Sequence, residues 1–139
     1  QMKESDKFSI GNRIKSFSFA FNGIKNLIYK EHNARIHFIA MFCVIGLGLF
    51  FKIELAEWIP IVIVIGLVLL SELFNTAIET LADIVDSSWN VKIGLVKDYS
   101  AGAVLISALI SLIVGGFIFI PKIIELITRV LHKTNINTL

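Results

Sequence analysis

Ser71-Glu72-Leu73-Phe74-Asn75-Thr76-Ala77-Ile78-Glu79-Thr80-Leu81-Ala82-Asp83 places acids and an amide at helical spacing. At about 100° per residue, Glu72, Asn75, Glu79, Asp83 and Asp86 share an arc of roughly 80°, with Leu and Ile opposite. The run continues a wholly apolar stretch from Trp58 to Leu70. An ionisable group inside a membrane helix costs on the order of 3 kcal/mol even on permissive scales, so such a row calls for a use. The uses are an ion path, a proton relay or chemistry. Asp86 lies past the membrane edge on this reading, but Glu72 is roughly 10 Å deeper than Glu79.

Two other polar clusters are candidates for the same site. One is Glu31-His32-Asn33-Ala34-Arg35-Ile36-His37, before an apolar run. The other is Lys97-Asp98, before a second apolar run. Together they offer carboxylates from two helices, an amide and a lysine. That set suits a metal-bound polyphosphate, with hard oxygen ligands for Mg²⁺ and a cation for phosphate oxygens. No G-x-x-x-x-G-K-S/T loop and no G-x-G-x-x-G is present, which excludes a P-loop and a protein-kinase cleft. Cys43 is the single cysteine and supports neither a disulfide nor a thiolate metal site.

The elements that must hold these residues are membrane helices. Of 139 residues, 55% are hydrophobic, and the mean hydropathy is +0.79. The net charge of +2 is too small to argue for nucleic acid. Ala101–Ile120 carries no charge and is closed by Pro121; its twenty residues reach roughly 30 Å, the thickness of a bilayer core. Three spans are predicted, at about 33–52, 56–84 and 98–120, with 122–139 as a C-terminal tail and 1–139 as one membrane domain. From Phe8 to Lys30, Ile10, Ile14, Phe17, Phe21, Ile24 and Ile28 recur at spacings of three and four, among Arg13, Lys15, Lys25 and Lys30. That pattern predicts an amphipathic helix over 8–30, lying in the interface. The first 30 residues lack a signal-peptide pattern, so the spans are expected to target the chain themselves.

Lys3, Lys7, Arg13, Lys15, Lys25, Lys30 and Arg35 precede the first span, and Lys92 and Lys97 lie between the second and third. The positive-inside rule then puts the N-terminus and the Ser87–Val96 loop in the cytoplasm. All three polar clusters fall at that face. Three thin helices shield a polar site poorly, and Ala103, Ser107, Ser111 and Gly115 recur every four residues in a small-residue ladder that lets helices approach. A homo-oligomer is the expectation, with packing inside one chain as the alternative.

Glu72-x-x-Asn75-Thr76-Ala77-Ile78-Glu79-x-x-x-Asp83 resembles the signature of the prokaryotic diacylglycerol kinase family. Lys97-Asp98, Glu31 with Arg35, and Gly23 match its other motifs in the same order, over about Arg13 to Pro121. The resemblance implies an all-α integral membrane fold: a homotrimer of three-span subunits, each with an N-terminal amphipathic surface helix, with active sites shared between subunits. It implies transfer of the γ-phosphate of Mg²⁺-bound ATP to a lipid hydroxyl. On that resemblance Glu72 is the general base, Glu31 and Glu79 hold the metal, and Asn75 orients phosphates or metal. Lys97 and Asp98 contact the nucleotide, with Asp83 and the loop Ser88, Trp89 and Asn90 nearby; the lipid acceptor meets Glu72, Arg35 and Ala101.

The family has a diacylglycerol branch and a Gram-positive undecaprenol branch. Glu31-x-Asn33-x-Arg35-Ile36-His37 and Lys97-Asp98-x-x-Ala101-Gly102-Ala103-Val104 look like the second. Ser100 departs from it, standing where alanine is more usual, with no expected consequence for the chemistry. His37 reads as a snorkelling or interhelical hydrogen-bonding residue before it reads as a catalyst. The non-enzyme alternative, an oligomeric channel or proton relay, predicts currents without ATP and leaves Lys97-Asp98 unexplained.

Overall fold

The computed structural model describes residues 10–85 and 90–136. They form four helices: α1 (Ile10–Lys30), α2 (His32–Phe51), α3 (Leu55–Val85) and α4 (Val91–Ile136). Of these, α2, α3 and α4 are long and apolar enough to cross a membrane. Most of their large apolar side chains are exposed, the arrangement of a multi-pass membrane protein whose outer surface meets lipid. In α1, Ile14, Phe17 and Phe21 are exposed while Leu27 is buried, so the helix anchors to the body by its C-terminal turn.

A single residue separates α1 from α2. Glu31 takes an extended conformation (φ −97°, ψ 120°), and its side chain makes no capping bond to its own helix. A carboxylate at that position usually accepts an N–H of the first turn; here it is left for other work.

The α2–α3 turn is set by backbone chemistry. Lys52 is left-handed (φ 51°, ψ 50°), its N–H bonds Leu49 O at 3.2 Å, and Ile53 N–H bonds Gly48 O at 3.1 Å. These bonds satisfy the last carbonyls of α2. Glu57 then reaches back to accept the Glu54 N–H at 2.8 Å, half of a capping box at the start of α3. Gly48 is required by a close approach: a Cβ there would lie 2.6 Å from Trp58 Cη2. Around this turn Ile53, Ile61 and Phe119 form the apolar core, with Val44, Phe51 and Trp58 against it.

The principal pairing is antiparallel, between α3 and α4. Four polar contacts mark its register from one end to the other. Glu57 meets Lys122 at 3.0 Å, Ser71 meets Ser107 at 2.7 Å, Asn75 meets Ser100 at 2.7 Å, and Asp83 meets Lys97. Without a hydrophobic drive between helices in lipid, packing and such bonds hold the pair together.

Two expectations change here. The small-residue ladder of α4 has Ser107 buried against α3 of the same chain, so at that position it serves the internal pair, while Ala103 is exposed. Pro121 does not close α4, which starts at Val91 and runs through the proline to Ile136. Proline forfeits one backbone bond, to the Phe117 carbonyl, and membrane helices tolerate that loss.

Candidate functional site

The helix order brings the α1–α2 joint, the C-terminal half of α3 and the start of α4 to one end of the bundle. The acidic row of α3 is graded along that end. Glu72 is 2% exposed, Asn75 and Glu79 are half-buried, and the Asp83 side chain is 64% exposed.

Glu72 is the unusual member. His37 Nε2 of α2 lies 3.2 Å from its Oε1. The two stand at ion-pair distance without hydrogen-bond alignment, since Oε1 is buried with no hydrogen-bond partner. Its charged neighbours after His37 are Glu31 and Glu79, both close enough to act on it electrostatically. Thr76 Oγ1, one helical turn on, is also buried and unpartnered. Buried polar atoms are nearly always satisfied, so two orphans on adjacent turns mark a place where a polar group belongs.

The next tier is a chain of hydrogen bonds. Ser100 Oγ donates to Asn75 Oδ1 at 2.7 Å, and Asn75 Nδ2 donates to Glu79 Oε1 at 3.0 Å. Nearer the end, Lys97 pairs with Asp83. That pair is largely exposed and contributes little to stability.

The remaining candidates are more scattered. Arg35, Asp98 and Ala101 are exposed. Asn90 N-caps α4, its Oδ1 accepting the Lys92 N–H at 3.0 Å. Ser88 and Trp89 lie outside the described residues. Sequence reasoning missed Ser100 as a partner of Asn75; its departure from the family pattern was the available signal. It also left His37 without its partner, because the pairing joins two helices.

Below His37 an apolar cavity of about 400 Å³ runs between α2, α3 and α4, lined by Met41, Val44, Val68, Gly115 and Gly116 among others. Among the described residues, no three His, Cys, Asp or Glu side chains are gathered so as to hold a metal ion by themselves. Magnesium in phosphotransfer sites takes one or two carboxylates, with phosphate oxygens and water completing the shell. Glu31 and Glu79 fit that smaller share.

Comparison with known proteins gives concordant results. A family model described as prokaryotic diacylglycerol kinase matches residues 18–119. The undecaprenol kinase of Bacillus subtilis is 37% identical over 109 residues, covering 78% of this chain and 89% of that protein. The diacylglycerol kinase of Synechocystis sp. is 32% identical over 116 residues, covering 83% of this chain and 66% of that protein.

Proposed function

The chain belongs to the prokaryotic diacylglycerol kinase family and is a lipid kinase; from that premise we propose that it transfers the γ-phosphate of ATP to undecaprenol, giving undecaprenyl phosphate. The observation that carries the chemistry is Glu72, buried with Oε1 unpartnered. An alcohol is a poor nucleophile until its proton has a destination, and Glu72 supplies one. His37 Nε2 stands against that same oxygen from the α2 side and steadies the carboxylate that would take the proton. Arg35 and Ala101 border the lipid's approach, and the cavity below His37 accommodates part of its apolar tail.

Glu31 and Glu79 would hold the Mg²⁺ of the nucleotide. When bound, the ion neutralises charge on the phosphates. Asn75, anchored between Ser100 and Glu79, aligns the phosphates, and Lys97 leaves Asp83 to neutralise a phosphate oxygen. Asp98, Asp83 and Asn90 border the nucleotide. Phosphoryl transfer asks little covalent chemistry of the protein, so alignment and charge account for the work of these residues.

Within this reading the chain is one membrane domain, with α1 as an amphipathic helix on the membrane surface. It assembles as a homotrimer with active sites shared between subunits. It sits in the cytoplasmic membrane with the Glu72 end toward the cytoplasm, the side that holds ATP and the side that the basic residues favour.

The test is transfer of labelled γ-phosphate from ATP to undecaprenol and to diacylglycerol in detergent micelles, with and without a chelator. Labelled undecaprenyl phosphate, lost on chelation, is the expected result. A preference for diacylglycerol overturns the acceptor and keeps the mechanism. No labelled lipid from either acceptor overturns the reading.

A further inference from the structure

Ser100 stands on α4, buried at 6% exposure, one turn beyond Lys97. Its hydroxyl has two acceptors within reach: Asn75 Oδ1 at 2.7 Å and its own Lys97 carbonyl at 2.9 Å. The carbonyl bond is the ordinary local one that a serine makes in any helix. The bond to Asn75 is different, because it crosses to α3 and lands on a member of the acidic row. From there Asn75 Nδ2 reaches Glu79 Oε1. One hydroxyl therefore joins the turn that carries Lys97 and Asp98 to the tier that carries Asn75 and Glu79.

We propose that Ser100 is a positioning residue for the nucleotide, acting through Asn75; the proposal rests on the kinase reading given above. The Asn75 side chain ends in an amide that turns about its last bond with little resistance. Among the described residues, Glu79 is the side-chain hydrogen-bond partner that remains to it if Ser100 is removed. A cation engaging Glu79 competes for that restraint at the moment when Asn75 has to be in place. Ser100 does not compete for the cation's negative ligands, and its tether survives rotation of the amide, since a hydroxyl both donates and accepts. Alanine at position 100 offers neither function. The residue thus pre-organises Asn75 before Mg²⁺-ATP binds, and pre-organisation lowers the ordering cost of binding.

The experiment uses the full-length chain in detergent micelles, with wild type, Ser100→Ala, Ser100→Thr and Asn75→Ala, and the Ser100→Ala/Asn75→Ala double variant. Ser100→Ala leaves the helix pair intact, since alanine fits wherever serine does. Threonine restores the hydroxyl, and an apolar cavity beside Ser100, lined by Ala82, Val96 and Ala103, has room for its methyl. Losing one neutral hydrogen bond predicts a rise of about three- to tenfold in KM for Mg²⁺-ATP in Ser100→Ala. The kcat and the KM for lipid stay within about twofold, and Ser100→Thr returns KM to near the wild-type value. Binding of a non-hydrolysable ATP analogue, measured so that inactive variants still report, weakens in Ser100→Ala but weakens no further when that change is added to Asn75→Ala.

Wild-type KM in Ser100→Ala overturns the proposal. So does an undiminished effect in the Asn75→Ala background, which would make Ser100 independent of Asn75, and so does a parallel fall in kcat and lipid affinity, the signature of general loosening. Wild-type protein that transfers no phosphate overturns the kinase reading and this proposal with it; wild-type turnover alongside an unaltered Ser100→Ala overturns this proposal alone.

Discussion

Replacing Glu72 by glutamine tests the role of the buried carboxylate with almost no change of shape. The structure gives opposite expectations for a catalytic and a structural Glu72. If Glu72 is the base, the amide cannot take the acceptor's proton. General-base catalysis is worth about 10²–10⁴ in rate, or about 3–5 kcal/mol of barrier, so kcat should fall by that factor with KM for Mg²⁺-ATP little changed. Folding should not suffer. Glu72 is 2% exposed, its Oε1 has no hydrogen-bond partner, and Glu31 and Glu79 are like-charged neighbours. Glutamine removes the repulsion and keeps an acceptor opposite His37. If Glu72 is instead half of a structural ion pair with His37, breaking that pair costs about 3–5 kcal/mol. The two cases separate in one preparation: phosphotransfer at saturating ATP and undecaprenol, thermal unfolding in detergent, and elution from a sizing column. The expected result is turnover below about a hundredth of wild type at an unfolding temperature equal to or above wild type. Turnover above about a tenth, or a destabilised protein, refutes the reasoning.

Two stability predictions follow from close packing and from the second orphan atom. Gly48→Ala drives a methyl to 2.6 Å from Trp58 Cη2 and 3.1 Å from Ile53 Cδ1; overpacking of this kind lowers stability by about 1–3 kcal/mol, read as a lower unfolding temperature, and an unchanged temperature would show that the turn is looser than it looks. Thr76→Val replaces the unpartnered Oγ1 by a methyl of the same size, so stability should hold or rise by up to about 1–3 kcal/mol; a fall of that size would show that the hydroxyl has a partner in the resting protein.

The sequence carried the helices and the acidic row because both are local patterns. Apolar runs of bilayer length and a 3.6-residue period are readable without tertiary knowledge. The charge of Glu72 inside such a run was informative because burying it is unfavourable. What stayed hidden was pairing. The ladder of Ser107, Ser111 and Gly115 says that something comes close, but not whether it is α3 of the same chain or a neighbour; Ser71, 36 residues away, is the answer at Ser107. Pro121 looked like a stop because a proline usually ends a helix in water, yet in α4 it removes a single bond from a long apolar helix. Ser100 looked idle because its partner, Asn75, is 25 residues distant. His37 and Glu72 are 35 positions apart in sequence and meet only after α2 and α3 fold back on each other.

The contacts that pair α3 with α4 also arrange the site. Ser71–Ser107 and Glu57–Lys122 lie toward the apolar core, while Asn75–Ser100 and Asp83–Lys97 lie among the candidate residues. A shift of α4 by one residue along α3 would break all four together, so the register that gives the fold its polar satisfaction also sets Lys97 against Asp83 and Ser100 against Asn75. By contrast, α2 meets α3 less extensively, and His37–Glu72 is its polar tie at this end. Glu31, at the joint before α2 and without a capping bond, belongs to the more weakly held side. A cation shared by Glu31 and Glu79 would therefore fasten α2 to the α3–α4 pair.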